Sequence, residues 1–277
     1  MQVRSSDDVE LAVHDFGGDG PPLLLAHATG FHGRAWGPLA PALASRFRCW
    51  SLDFRGHGDS TRPIPPHFDW QGFGDDVLAV VDALGAGALF GLGHSQGATA
   101  FLLAEQARPG TFEALYLYEP VAPPPGRPAS PDDNHPLVVG ARRRHDTFAS
   151  VDAAVAHLAA KRPLAHFDPS ALRDYVEHGV ATLPGGGVTL KCRRSDEAQV
   201  YRMGQVQRAF DHLDEVRCPT TVARGSRSEA MSAEVAARQV AGLPAGRLEV
   251  FDGLGHFGLL EEPSRVAGSV VRALLDG

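Results

Sequence analysis

The chain has 277 residues, 43% hydrophobic and 21% charged, with a formal net charge of −7. That composition fits a globular protein with a core large enough for one domain carrying an insertion, and the acidic balance argues against a nucleic-acid partner. Three scattered cysteines (Cys49, Cys192, Cys218) supply neither a disulfide framework nor a zinc site. With no apolar leader at its start and no later run of membrane-spanning length, the chain is expected to be cytoplasmic and without a membrane span.

Residues 2–5 and 9–16 read as an antiparallel hairpin around Ser6-Asp7-Asp8. Leu23-Leu24-Leu25-Ala26-His27 is a continuous apolar run, the pattern of a strand buried on both faces. The elements then alternate: a helix near 36–45, a strand at 47–52, a helix at 70–84, a strand at 88–93, a helix at 96–106 and a strand at 114–118. Such alternation implies a doubly wound, mostly parallel sheet. It stops after Glu119-Pro120. A Pro-rich link from Pro123 to Pro128 leads into segments with helical character and no clear strand. Ser150 or Asp152 caps one helix, Asp168-Pro169 opens a second, and Ser195 starts a third that runs to about Leu213. After Cys218-Pro219 a strand at 220–224, a helix at 232–242, a strand at 247–252 and a helix from Pro263 to Leu275 follow. The expected organisation is a core in two parts, 1–121 and 214–277, with a mainly helical cap, 122–213, inserted between them.

Ligands of a parallel α/β sheet bind beyond the carboxyl ends of its strands. Gly93-His94-Ser95-Gln96-Gly97 is a G-x-S-x-G turn between a strand and a helix, where so abrupt a reversal calls for small residues. The helix that follows aims its unpaired N–H groups toward Ser95. His27-Ala28-Thr29-Gly30 follows the third strand, and Glu119 the sixth. Gly225-Ser226-Arg227-Ser228-Glu229 follows the next strand, and Gly255-His256 the last. A serine, an acid and a histidine therefore meet on one rim. No H-E-x-x-H or Cys/His spacing suggests a metal and no Gly-rich phosphate loop a nucleotide, so no cofactor is expected. Arg142-Arg143-Arg144 reads as a solvated helix face. His57 is expected to fix its own turn and His32 to line a pocket, while His94 is given no role.

Together with Asp53-Phe54-Arg55-Gly56-His57-Gly58-Asp59-Ser60 and the late Glu261-Glu262-Pro263, these motifs resemble the α/β-hydrolase superfamily over nearly the whole chain. The branch is the one with a serine nucleophile and a helical cap. The resemblance implies an eight-stranded, mostly parallel sheet. It implies Ser95 as nucleophile, His256 as base, and the backbone amides of Thr29 and Gln96 as the oxyanion hole. Ala28 departs from the family pattern, standing where glycine usually follows the histidine. The family's usual acid position falls on Ser228; the adjacent Glu229 is taken as the acid. Glu119 is its rival, as acid or as a substrate-facing carboxylate, with Asp252 a remoter third. The implied activity is cofactor-free cleavage of an ester-like bond, a carboxylic ester or lactone, in a small apolar or amphipathic molecule. The other readings are a lyase, acyltransferase or cyclase on the same site, and a slow-turnover ligand-binding protein.

Overall fold

The computed structural model describes residues 1–125 and 130–276. Six strands come first along the chain: β1 (Gln2–Arg4), β2 (Glu10–Gly17), β3 (Pro22–Ala26), β4 (Arg48–Leu52), β5 (Leu89–His94) and β6 (Phe112–Tyr118). The insertion then holds β7 (Thr147–Phe148), β8 (Val180–Thr182) and β9 (Val188–Leu190) as a separate antiparallel sheet. β10 (Thr220–Gly225) and β11 (Gly246–Phe251) complete the main sheet of eight strands, in the order β1-β2-β4-β3-β5-β6-β10-β11. Only the β1–β2 and β2–β4 pairings are antiparallel.

The strand order reverses direction at β3. The chain pairs β4 on one side of it and β5 on the other, which is where such sheets open a crevice. Ala26 lies opposite Gly93 in that register, so the loop after β3 and the turn after β5 leave the sheet side by side. Leu23, Leu24, Leu25 and Ala26 are fully buried, which accounts for the unbroken apolar run.

Ten helices accompany the strands among the described residues: α1 (Ala40–Ala44), α2 (Trp70–Leu84), α3 (Gln96–Ala107), α4 (Pro136–Arg143), α5 (Val151–Ala159), α6 (Pro169–Gly179), α7 (Arg194–Met203), α8 (Ala233–Gly242), α9 (Gly258–Glu261) and α10 (Pro263–Leu275). Their ends follow their caps. Asp69 accepts from Gln71 N at the start of α2, and Gly85, at φ 60°, ends it. Ser150 and Asp168 cap α5 and α6 through the amides of Ala153 and of Ser170 and Ala171.

Three local expectations are corrected. The insertion is not free of strands: a turn in which Leu183 N donates to Gly187 O joins β8 to β9, and these strands of three residues are too short to show an alternating pattern. The helix expected to reach Leu213 ends at Met203, before Gly204, and a 3-10 segment at Ala209–Glu215 follows. The first helix starts at Ala40, after a 3-10 turn at Gly33–Trp36. Of the Pro-rich link, 126–128 lie outside the described residues.

The insertion is bound to the core by packing and by polar contacts. One apolar cluster runs from Phe31, Trp36 and Leu39 of the core into Phe167, Leu172, Tyr175 and Val176 of the cap. Trp70 Nε1 donates to Val200 O at 3.0 Å, and Arg62 and Lys191 pair with Asp196 and Asp59 across the boundary at 2.7 and 2.6 Å. The Asp53–Ser60 loop is itself a structural device. The Arg55 guanidinium, 1% exposed, makes three hydrogen bonds to the buried Asp76 of α2 and the Arg55 N–H a fourth, and stripping either partner leaves a buried charge worth about 3–5 kcal/mol. No helix among the described residues is long and apolar enough to cross a membrane.

Candidate active site

Ser95 sits at the apex of the turn with φ 54° and ψ −112°, a conformation that costs a residue with a Cβ about 1–3 kcal/mol. Its N–H donates to Tyr118 O at 2.9 Å, which ties the turn to β6. The two glycines are steric requirements. A Cβ on Gly97 would lie 2.2 Å from Ala26 O, and one on Gly93 2.5 Å from Ala98 Cα. Gln96 opens α3, so its amide belongs to the first turn, where a helix has no internal acceptor. Its side chain is buried and accepts a hydrogen bond from Thr29 Oγ1 at 2.7 Å, joining the turn to the loop after β3.

That loop is pinned from its base. His27 Nε2 accepts from Phe54 N at 3.0 Å, so Nδ1–H is the donor to Ala28 O at 2.8 Å. Burial pushes the His27 imidazole down to about 3, with the neighbouring His57 acting in the same direction, which keeps the ring in the neutral form this pattern needs. Ala28, 3% exposed, is accommodated in the loop in place of the family's glycine.

His256 lies between β11 and α9, and its Nδ1 is 2.6 Å from Glu119 Oε2. The carboxylate facing His256 is therefore Glu119 and not Glu229, which corrects the expectation for the acid. Glu119 directly follows β6, with φ 50°, and is 1% exposed. Its Oε1 accepts from Gly225 N at 2.9 Å, and its Oε2 also accepts from Ser228 Oγ at 2.6 Å. Ser228, at the position where the family usually places its acid, thus supports a carboxylate that arrives from the neighbouring strand. Glu229 is exposed to solvent. Asp252 accepts from Ser226 Oγ at 3.1 Å on the exposed side of the same loops.

Two residues without a role in the sequence reading hold the histidine loop. His94 Nε2–H donates to His256 O at 2.9 Å, and the two rings lie 4.9 Å apart. Burial, with His256 beside it, pushes the His94 imidazole well below its ordinary value, so it donates as a neutral ring. Tyr118 OH donates to Gly255 O at 2.8 Å, and burial raises the phenol, keeping its proton in place. A Cβ on Gly258 would fall 2.1 Å from that hydroxyl oxygen. The signal for His94 was its place inside the turn; its partner, 162 positions away, left no local pattern.

Core and inserted segment together form an aromatic cluster beside His256. Phe31 packs on Tyr175 at 4.5 Å and Phe257 at 5.3 Å, with Phe167 at 6.2 Å, and Phe257 stands edge-on to His256 at 4.8 Å. His32 is turned inward and bonds Tyr175 O at 2.8 Å; burial lowers it to about 4. His57 fixes its turn through Arg55 O at 3.0 Å, as expected. Arg142 and Arg143 are exposed, but Arg144 departs from the solvated face expected of it. Its side chain is 20% exposed, and Nη1 lies 2.7 Å from Glu197 Oε2. No group of three or more His, Cys, Asp or Glu residues suited to a metal occurs among the described residues.

A model of the alpha/beta hydrolase family matches residues 23–269. The putative carbamate hydrolase RutD of Caulobacter vibrioides is 36% identical over 80 residues, 29% of this chain, and the match spans 30% of that protein's length. The 2-(acetamidomethylene)succinate hydrolase of Mesorhizobium japonicum is 24% identical over 252 residues, 87% of this chain and 83% of that one. A crystal structure of E-2-(acetamidomethylene)succinate hydrolase superposes with a TM-score of 0.84 at 22% identity, covering 100% of this chain and 99% of its own.

Proposed function

Since the chain belongs to the α/β-hydrolase family, we propose that it is a cofactor-free serine hydrolase with Ser95 as nucleophile, His256 as general base and acid, and Glu119 as the carboxylate of the triad. The observation that carries this reading is the 2.6 Å contact between His256 Nδ1 and a buried Glu119 that also takes bonds from Gly225 N and Ser228 Oγ. In that contact Nδ1–H donates to the carboxylate, which leaves the lone pair of Nε2 to face the serine.

Ser95 Oγ then attacks the carbonyl carbon of the substrate while His256 Nε2 takes its proton. The negative charge that develops on the carbonyl oxygen is received by the amides of Gln96 and Thr29, each such donor being worth about 3 kcal/mol on the barrier. Collapse of the tetrahedral intermediate breaks the bond to the leaving group, which takes the proton from His256. Water, deprotonated by the same nitrogen, attacks the acyl-enzyme and releases the carboxylic acid with Ser95 restored. The scissile bond in this reading is the acyl bond of an ester or lactone, and the wall of Phe31, Tyr175 and Phe257 suits an apolar acyl chain. Relatives whose names describe carbamate and acetamido compounds extend the acyl group to amides.

The test is labelling with a fluorophosphonate probe and location of the adduct by mass spectrometry. An adduct on Ser95, absent from Ser95→Ala and strongly diminished in His256→Ala, is the expected result. A folded wild type that takes no label at Ser95 would overturn the reading.

A further inference from the structure

Two backbone amides near Ser95, those of Thr29 and Gln96, have no acceptor among the described residues, although the residues are only 6% and 0% exposed. Buried N–H groups are ordinarily paired, and open ones next to a nucleophile suit a charge that appears only during reaction. The first of them is aimed by its own loop. Ala28 O accepts from His27 Nδ1–H at 2.8 Å and from Phe31 N at 3.1 Å. The Ala28 carbonyl and the Thr29 N–H share one planar peptide and point opposite ways, so bonds to the oxygen set the direction of the N–H. They do not set its distance from the amide of Gln96. Among the described residues a single hydrogen bond joins residues 28–30 to the Gly93–Gly97 turn, from Thr29 Oγ1 to Gln96 Oε1 at 2.7 Å.

That bond is a poor device for stability. The Gln96 side chain is fully buried, and its Nε2 is left without a partner. A valine and a leucine in place of the pair would fill similar space without stranding a donor. What the polar pair adds is length and direction, because it ties the residue that carries one open amide to the residue that carries the other. We propose that Thr29 and Gln96 are positioning residues through their side chains, the bond between them holding the two amides at the spacing that an oxyanion on the substrate requires. The proposal deepens the hydrolase reading above and rests on it.

The test is a double-mutant cycle on p-nitrophenyl hexanoate hydrolysis, read in kcat, KM and urea unfolding. Thr29→Val and Gln96→Leu are each expected to lower kcat about tenfold or more with KM unchanged, because the charge develops in the transition state and not in the bound ester. The double variant is expected to lose no more than either single one, since both break the same bond. Its urea midpoint should return to that of wild type, as an apolar pair strands no polar atom, while kcat stays low. Thr29→Ser keeps the hydroxyl and should recover most of the rate lost in Thr29→Val. Should a single variant not fold, the double variant and Thr29→Ser carry the test. Recovery of kcat together with stability in the double variant would make the bond structural only and overturn the proposal. So would Gln96→Leu at wild-type kcat, losses that multiply, or Thr29→Ser as slow as Thr29→Val. A wild type that neither takes the fluorophosphonate at Ser95 nor cleaves the ester would instead remove the hydrolase reading, and this proposal with it.

Discussion

The two walls of the site differ in how their polar atoms are spent. On the core side, Glu119 takes three hydrogen bonds, His256 is held at Nδ1 and at its carbonyl, and Gly255 is bonded from Tyr118. On the other side, Phe31 meets the rings of Tyr175 and Phe167, and the ion pair of Arg144 Nη1 with Glu197 Oε2 at 2.7 Å holds one part of the inserted segment to another. In the proposed mechanism a histidine held at two points before substrate arrives is organised for chemistry, because neither contact must rearrange when charge develops. An apolar wall offers contact area rather than charge, so in the same mechanism it bears on substrate binding. Disturbing the first should therefore cost rate or fold, and disturbing the second should cost selectivity.

The largest effect is expected at the proposed acid. Glu119→Gln should lower kcat/KM for a p-nitrophenyl ester by about 10³–10⁴, since a neutral amide leaves the wrong nitrogen of His256 protonated. Glu229→Gln, on the exposed side of the neighbouring loop, should stay within about twofold of wild type. If both variants lose activity alike, the division of labour between the two loops is wrong.

A change of similar weight on the fold is expected at the turn. A methyl at Gly97 must displace the backbone at Ala26, so Gly97→Ala should destabilise the protein by about 3 kcal/mol or more in urea unfolding. Wild-type stability in that variant would show the turn to be loosely packed.

The buried histidines of the core side predict a pH dependence. His32 and His57 are lowered to about 4 and His27 to about 3, in each case chiefly by burial, against about 6.5 in an unfolded chain. Below pH 6.5 the unfolded chain binds protons that the folded chain refuses. Their contribution is thus complete above about pH 7 and is lost as pH falls toward 4, by up to about 1.4 kcal/mol per pH unit for each ring. Urea unfolding at pH 7.5, 6 and 5 should show that decline, and a flat profile would contradict it.

Smaller effects separate positioning from binding. His94→Gln should lower kcat about tenfold with KM unchanged, because it loosens the His256 carbonyl without touching substrate. Arg142→Ala, on the exposed part of the same arginine run as Arg144, should leave both parameters within about twofold. A raised KM in the first variant, or a loss of selectivity in the second, would blur the distinction between the walls.

Much of this was legible in the sequence, and unevenly so. The sheet, the helix starts at Ser150 and Asp168, and the serine turn depend on neighbours within a few residues. Their signals are local: apolar runs, side-chain oxygens before helices, glycines where a Cβ would strike the backbone. The carboxylate that contacts His256 was legible only as the second candidate, after Glu229. Glu119 reaches His256 because its own φ of 50° turns it beneath the loop after β10, where Ser228 and Gly225 receive it. That depends on how two strands 100 residues apart are juxtaposed. The inward turn of Arg144 was hidden for the same reason, since Arg142, Arg143 and Arg144 differ only in what packs over them. The strands of the cap were missed because two or three residues cannot display a period.

The central claim is that Glu119 holds the proton on His256 Nδ1, and the imidazole proton itself reports on it. In a proton–nitrogen NMR spectrum with ¹⁵N-labelled histidine, wild type should show a far-downfield Nδ1–H resonance for His256. The account predicts that this signal disappears or moves strongly upfield in Glu119→Gln and is unchanged in Glu229→Gln. A resonance that survives in Glu119→Gln and is lost in Glu229→Gln would contradict it.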